Sequence, residues 1–438
     1  VMANQRWIGA AAALKDVYTL VLSGTWTAGD TITLTIANVD FVITVGSTTL
    51  ATIATTIKQA FQGESISDTL ASVTPSLTNG AQSIGLFAEL VASVSSATVT
   101  FTGRTAGWPV TITASRVTAS SGAITFTHVT SATGPNFWNN VDNWESNSIP
   151  VDNDALIFDS GNVSLLHGLT TGIQPASVTI TKGYSGAIGL PNTNKLQSDA
   201  LAYPEYRTTA LTFDDNSVTT TVTIGQGDGN GSGRIKLAFG AGQAAITVFD
   251  TGKRLDSSEP AVNITGGTHA SNAATVINGD AGFGVRNGES VTLTTLRCGS
   301  DAQSTAIVLA GAACTLTTVT VAGGKAMLYA SATTLTQYAG EVTQYAGVPA
   351  TLRVYGGIYF SNSTGTIATE FTLGSGGTFD RNREVRPLTI TPLATLYAGS
   401  KFRDRNATIT YTGGVIAKGC SLSALEFDPG PNRTLAVS

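Results

Sequence analysis

Val291-Thr292-Leu293-Thr294, Cys314-Thr315-Leu316-Thr317 and Leu388-Thr389-Ile390-Thr391 are three versions of one phrase, threonine alternating with a small or aliphatic residue. Aligning such phrases on Leu293, Leu316, Leu335, Leu352, Leu373, Ile390 and Ile409 gives successive gaps of 23, 19, 17, 21, 17 and 19 residues. Glycine often follows, as in Gly323-Gly324, Gly356-Gly357, Gly376-Gly377 and Gly413-Gly414. Alternation with period two marks strands, and self-similarity at about 20 residues marks a solenoid. The repeat therefore predicts a parallel β-solenoid, with a right-handed β-helix as the expected form and a series of antiparallel β-sandwiches as the alternative. The aligned Leu and Ile would face inward, threonines would stack outward in ladders, and Gly and Asn would turn the corners.

Composition agrees with a stack. The chain has 438 residues, of which only 12% are charged, about half of the usual fraction of roughly 25%. Coils in register bring like side chains together on every rung, so charge is disfavoured. Disorder is excluded, because 42% of the residues are apolar and only 13 are Pro. A net charge of -5 offers no cationic surface for nucleic acid. No apolar run approaches the roughly 18 residues of a membrane helix, and the start, Val1-Met2-Ala3-Asn4, lacks the apolar core of a secretory signal. Cys298, Cys314 and Cys420 give neither a disulfide framework nor metal-ligand spacing, and read as small buried residues.

Residues 1–134 read as a small α+β docking domain. Val17–Leu22, Thr31–Ile36 and Phe41–Val45 alternate like hairpin strands, with turns at Thr27–Asp30 and at Asn38-Val39-Asp40. Leu50, Ile53, Ala54, Ile57 and Phe61 then fall on one helical face, with Ser47, Thr48 or Thr49 as N-cap and Gly63 as terminator. Strands return at Ala97–Thr102, Pro109–Ala114 and Ala123–Val129. Residues 135–438 read as the β-solenoid. It opens with Phe137, Trp138 and Trp144 among Asn and Asp turns, an aromatic cap over the open end of the stack.

Sites of chemistry are sparse. From Ala281 to Thr378 the only acids are Glu289, Asp301, Glu341 and Glu370, and no two are one coil apart. The paired carboxylates of a glycosidase are therefore not expected, and the chain reads as a non-enzyme. Asp214-Asp215 reads as a turn. Asp228-Gly229-Asn230-Gly231-Ser232-Gly233 matches the first half of a calcium loop, but Phe239 stands where its bidentate Glu belongs, so it reads as a glycine-rich turn. His128, His167 and His269 lie in no ligand spacing, and no metal or cofactor is expected. One charged cluster stands out: Arg381, Arg383, Glu384 and Arg386, then Arg403, Asp404 and Arg405 about one coil later. On neighbouring rungs Arg383 could face Asp404. The cluster reads as an ion-pair ladder or as a subunit or partner contact, since Arg is enriched at interfaces.

Several stretches carry a resemblance: Gln5-Arg6-Trp7-Ile8-Gly9, Gly24-Thr25-Trp26-Thr27-Ala28-Gly29-Asp30, Pro135-Asn136-Phe137-Trp138, Asp142-Asn143-Trp144, Gly233-Arg234-Ile235-Lys236-Leu237 and Gly267-Thr268-His269-Ala270-Ser271-Asn272. With these the chain resembles a loosely defined group of tailed-bacteriophage and prophage structural proteins. The resemblance implies a virion component without catalytic residues, exposed on the capsid exterior and packed as a homotrimer. Its partners would be the major capsid protein or other virion subunits, with no nucleic acid and no membrane. A capsid decoration or head-fibre protein is the leading expectation. A tailspike recognising glycans and a bacterial surface adhesin are the alternatives.

Overall fold

In the computed structural model the described residues are 3–74, 85–194, 203–214, 219–253, 259–286 and 288–430. The chain is mainly β, and 22 of its strands form one long sheet whose pairings are parallel from the first to the last rung. Parallel pairing of Leu293 with Leu316 excludes the antiparallel sandwich.

The stack has two principal faces. On the first, the inward column runs through Leu156, Val178, Val222, Ile246, Ala274, Leu296, Val319, Leu335, Leu352, Phe371, Ala394 and Val415. The next position on each strand points the other way, and its column is largely threonine: Thr179, Thr223, Thr247, Thr275, Arg297, Thr320, Thr336, Arg353, Thr372 and Thr395. The alternation Thr/aliphatic thus becomes a wet face and a dry face, as period two requires. On the second face the inward column is Val262, Ala281, Val308, Ala326, Val342, Tyr359, Phe379, Phe402 and Phe427. The rings of Tyr359, Phe379, Phe402 and Phe427 stack from rung to rung at 5.2 to 5.7 Å. A short third parallel sheet joins Gly365–Ile367, Leu388–Ile390 and Ile409–Tyr411 near the C-terminal end.

All seven aligned aliphatics are buried, none more than 3% exposed, but they do not form one column. Leu335 pairs with Val319 rather than with Leu316, Leu373 pairs with Val354, and Ile390 belongs to the third sheet. The cause is coil length, which runs from 44 residues between Val178 and Val222 to 16 between Val319 and Leu335. Corners absorb or shed residues while strands keep their period.

Residues 17–130 surround a separate apolar cluster. Val17–Ser23, Thr98–Gly103, Leu90–Ser95 and Ala123–Thr130 make one antiparallel sheet, and Ser72–Thr74, Val39–Thr44, Thr31–Ile36 and Thr113–Val117 make another. The helix Leu50–Gln62 buries Ile53, Ala54, Ile57 and Phe61, with Thr49 at its N-cap and Gly63 ending it at φ 71°. The hairpin turn falls on Ala37-Asn38, both at positive φ, so Val39 and Asp40 belong to the strand. The expected strand at Pro109–Ala114 is confined to Thr113–Val117. Pro109 has no N–H, and the Val110 N–H is taken by the Asp16 carboxylate at 2.6 Å.

The chain's first strand crosses the sequence boundary at 134. Asn4–Arg6 pairs with Ala155–Ile157, so residues 4–8 pack with the solenoid. Trp7 meets Trp144 edge-on at 5.2 Å, and Trp138 meets Trp144 at 4.8 Å. Asn143, fully buried, donates to the carbonyls of Gly134 and Phe137 and accepts from the Ala11 N–H. One carboxamide thus satisfies three backbone groups beneath the indoles, which would otherwise cost on the order of 1–3 kcal/mol each.

Candidate functional site

The arginine cluster is distributed by burial. Arg381 is fully buried and Asp404 is 1% exposed, so neither can meet a partner, which corrects the expected contact set. Arg381 donates to Thr408 Oγ1, to the Ser361 and Ser363 carbonyls, to Ser361 Oγ and to the Arg386 carbonyl. It ties the second face to the third sheet. Asp404 accepts from Thr408 Oγ1 and the Ile409 N–H and does not meet Arg383. Outside this core, Arg386 pairs with Glu384, Arg403 with Asp380 and Glu426, and Arg405 with Asp428. The Arg386 guanidinium, with the backbone N–H groups of Val385 and Arg386, holds the Glu384 carboxyl down at about 2. Arg383 is exposed and has no partner among the described residues. Arg403 and Arg405 therefore bridge successive rungs, while Arg386 pairs within its own loop.

A second cluster, which the sequence reading missed, lies where residues 17–130 meet the solenoid. Arg207 is held between rings, its guanidinium carbon 4.5 Å from the Trp108 ring and 4.8 Å from the Tyr206 ring. It donates to Glu205 at 2.6 Å, to Glu89 at 2.8 Å and to the Pro109 carbonyl at 2.6 Å. The Glu89 and Glu205 side chains are 4% and 1% exposed. Burial opposes the charge on Arg207, and the two carboxylates outweigh it. Beside it His167 packs edge-on to Trp108 and against Phe137, each at 4.9 Å. Its Nε2 is buried without a hydrogen-bond partner, and burial, reinforced by Arg207, pushes its basicity down to about 3. An open cleft of about 570 Å³ adjoins these groups, walled by Thr35, Asn38, Thr113, His167, Thr170 and Arg207. With its basicity so lowered, His167 is a weak base, and the Arg207 guanidinium is paired with both carboxylates. The cluster fastens one unit to the other. Arg207 and Glu89 are 118 residues apart in the chain, and no local motif links them.

A third feature has a signal in the sequence: Thr336-Gln337-Tyr338-Ala339-Gly340 is repeated as Thr343-Gln344-Tyr345-Ala346-Gly347. Gln337 and Gln344 are fully buried, and each donates twice to corner carbonyls, of Gly340 and Ile358 and of Ala330 and Ala346. The tyrosines point outward and stack on the next rung, Tyr338 on Tyr355 at 5.6 Å and Tyr329 on Tyr345 at 4.6 Å.

The remaining candidates do not converge. His128 stacks on Tyr18 at 4.1 Å and bonds Asp16 at 2.8 Å, while His269 accepts from the Ser271 N–H. Asp214 is exposed, and Asp215 lies outside the described residues. In the glycine-rich turn Ser232 Oγ donates to the Arg234 carbonyl. Among the described residues no three His, Cys, Asp or Glu side chains come together as a metal site. Cys298 and Cys314 are buried, but Cys420 is only half-buried, a correction to the expectation for all three. Compared with known proteins, the chain matches no family model, no curated protein and no solved structure.

Proposed function

We propose that the chain is a non-catalytic structural protein on the surface of a tailed-phage virion, a capsid decoration or head-fibre protein that docks through the unit of residues 17–130 and projects the solenoid as a homotrimer. The observation that carries this reading is the uninterrupted parallel stack from Ala155 to Asp428. Neighbouring rungs share backbone hydrogen bonds and one apolar core, so the stack is stiff along its axis. A rod on a compact unit suits a projecting appendage, and the sequence resemblance supplies the phage. We read the winding as right-handed, the hand that parallel crossovers overwhelmingly take.

The stack's acids support binding over catalysis. Glu341 pairs with Lys325, Glu370 with Arg353, Glu384 with Arg386 and Glu426 with Arg403. Their cationic partners hold Glu370, Glu384 and Glu426 below the ordinary carboxylate range. A general acid needs the opposite shift.

Imaging of intact virions tests the proposal. Density for the rod on the capsid exterior, at three-fold or quasi-three-fold positions, is the expected result. Density only at the tail tip, or release of oligosaccharide from host capsule by the purified protein, overturns it in favour of a tailspike.

A further inference from the structure

A lysine, a carboxamide and a carboxylate meet on the outer side of the second face, near the start of the stack. Lys236 lies on the strand Ile235–Phe239, between Ile235 and Leu237, which face the core. Its own side chain points outward, yet Lys236 is only 3% exposed, and a lysine is almost never buried unless it is paired. Its backbone N–H bonds the Ile188 carbonyl of the preceding coil. Gly189 stands beside it there, and a Cβ on Gly189 would lie 2.9 Å from Lys236 Cβ. The glycine lets the lysine stem lie close against that coil. Lys236 Nζ is 2.9 Å from Asn192 Oδ1 and 3.2 Å from Glu259 Oε2. Asn192 follows Ile188 on the preceding coil, and Glu259 leads into Val262–Thr265, which pairs with Ile235–Phe239 from the next coil. Three successive coils thus supply one group each.

A lysine and a carboxylate alone would be a buried ion pair. The carboxamide adds a reaction. Asn192 Cγ is one bond beyond an oxygen already in contact with Nζ, which is a near-attack arrangement. A lysine amine is a nucleophile once it gives up its proton, and Glu259 is at proton-transfer distance from it. Arg286 pairs with the same carboxylate, so Glu259 keeps a cationic partner when the lysine charge is lost.

We propose that Lys236 and Asn192 join in an intramolecular isopeptide bond, with Glu259 carrying the proton. Glu259 takes a proton from the Lys236 ammonium, and the Nζ lone pair attacks Asn192 Cγ to form the new bond. The amide nitrogen of Asn192 then takes the proton back from Glu259, and its bond to Cγ breaks. The departing ammonia takes the second proton from Nζ and leaves as ammonium. Atoms and charge balance without a co-reactant, and Glu259 ends ionised as it began. The event happens once per chain, so the non-catalytic reading stands unchanged. The bond spans 44 residues of chain, among them Glu205, Tyr206 and Arg207, which fasten the unit of residues 17–130 to the solenoid. Pull on that unit would reach the rungs through a covalent link. The inference goes beyond the virion reading and does not depend on it.

Mass spectrometry of the purified full chain reads the outcome. The native protein is expected to be one ammonia lighter than its sequence mass. Trypsin should release one branched peptide, Gly183–Lys195 joined to Ile235–Lys253, with no cut after Lys236. Lys236→Arg and Glu259→Gln should each keep the full mass and give no branched peptide. A wild type of full sequence mass overturns the proposal. Loss of ammonia without the branched peptide overturns it too, because a cyclic imide at an asparagine sheds the same mass. A branch to Asn263, whose buried Oδ1 has no hydrogen-bond partner, likewise overturns it, as does a folded Glu259→Gln that links as completely as the wild type. Should a variant not fold, the wild-type digest still decides whether the bond exists.

Discussion

Leu352 is fully buried, in register between Leu335 on one rung and Phe371 on the next. Leu352→Asp places a carboxylate there with no partner, at a cost of several kcal/mol. Thermal melts should show the loss as a large drop in transition temperature, while Thr275→Asp on the wet side should stay within about 0.5 kcal/mol of the wild type. The cysteines give a second residue-scale outcome. Burial pushes the Cys298 thiol up to about 12 and the Cys314 thiol up to about 11, so neither is a thiolate near neutrality. A thiol reagent at pH 8 should therefore titrate one cysteine in the native protein, Cys420, and three after denaturation. At this scale the sequence was informative about which side chains are inward, because alternation reports a side chain's direction whatever the coil length. It was misleading about Arg381. Clustered charge reads as surface, and the oxygens that surround this guanidinium come from residues 361, 363, 386 and 408, which no local pattern brings together.

At the scale of the element, strands were legible and corners were not. Period two marks Thr315–Val321 or Lys325–Leu328 without reference to the rest of the chain. Register depends on how many residues each corner holds. The Gln corner shows what sets that number. Gln337 satisfies the Gly340 and Ile358 carbonyls from inside, which allows a turn of three residues, Tyr338 to Gly340, between two strands. Its repetition seven residues later was readable and gives the short coils of this region. Gly340 sits at φ 74°, and a Cβ there would lie 2.3 Å from the Gly324 carbonyl oxygen of the preceding coil. Gly340→Ala should cost about 1–3 kcal/mol from its backbone conformation alone, with the close approach adding to it. Hydrogen exchange should show lost protection in Lys325–Leu328 and Glu341–Gln344 first, since each rung is held by its neighbours. Uniform loss along all rungs would argue against that locality.

At the scale of the whole molecule, the junction between residues 17–130 and the solenoid is set by contacts made far apart in sequence, and only the aromatic cap at 137–144 announced itself. Two buried groups govern that junction. Arg207 neutralises Glu89 and Glu205, so Arg207→Leu strands two buried carboxylates and should cost about 3–5 kcal/mol. His167 makes the junction sensitive to acid. Its ordinary value of 6.5 is lowered to about 3 in the folded chain, by burial first and by Arg207 second. Below pH 6.5 the unfolded chain takes up a proton that the folded chain refuses. Stability is therefore full above pH 6.5 and falls as the pH drops toward 3, with a limiting slope of about 1.4 kcal/mol per unit. Glu384 adds a separate loss only below its ordinary 4.5, as the pH approaches 2, so the window from pH 6 to 5 isolates the histidine. His167→Phe keeps a ring between Trp108 and Phe137 and removes the proton site. Melts of the two proteins should run nearly parallel at pH 7 to 8 and diverge between pH 6 and 5, the wild type losing stability faster. Because His167 lies between the two units, proteolysis in that window should cut the wild type at the junction before the rungs. A wild type and variant with the same pH profile would mean that the folded protein admits a proton at His167, and with it that the contact between Trp108, His167 and Phe137 is open to water.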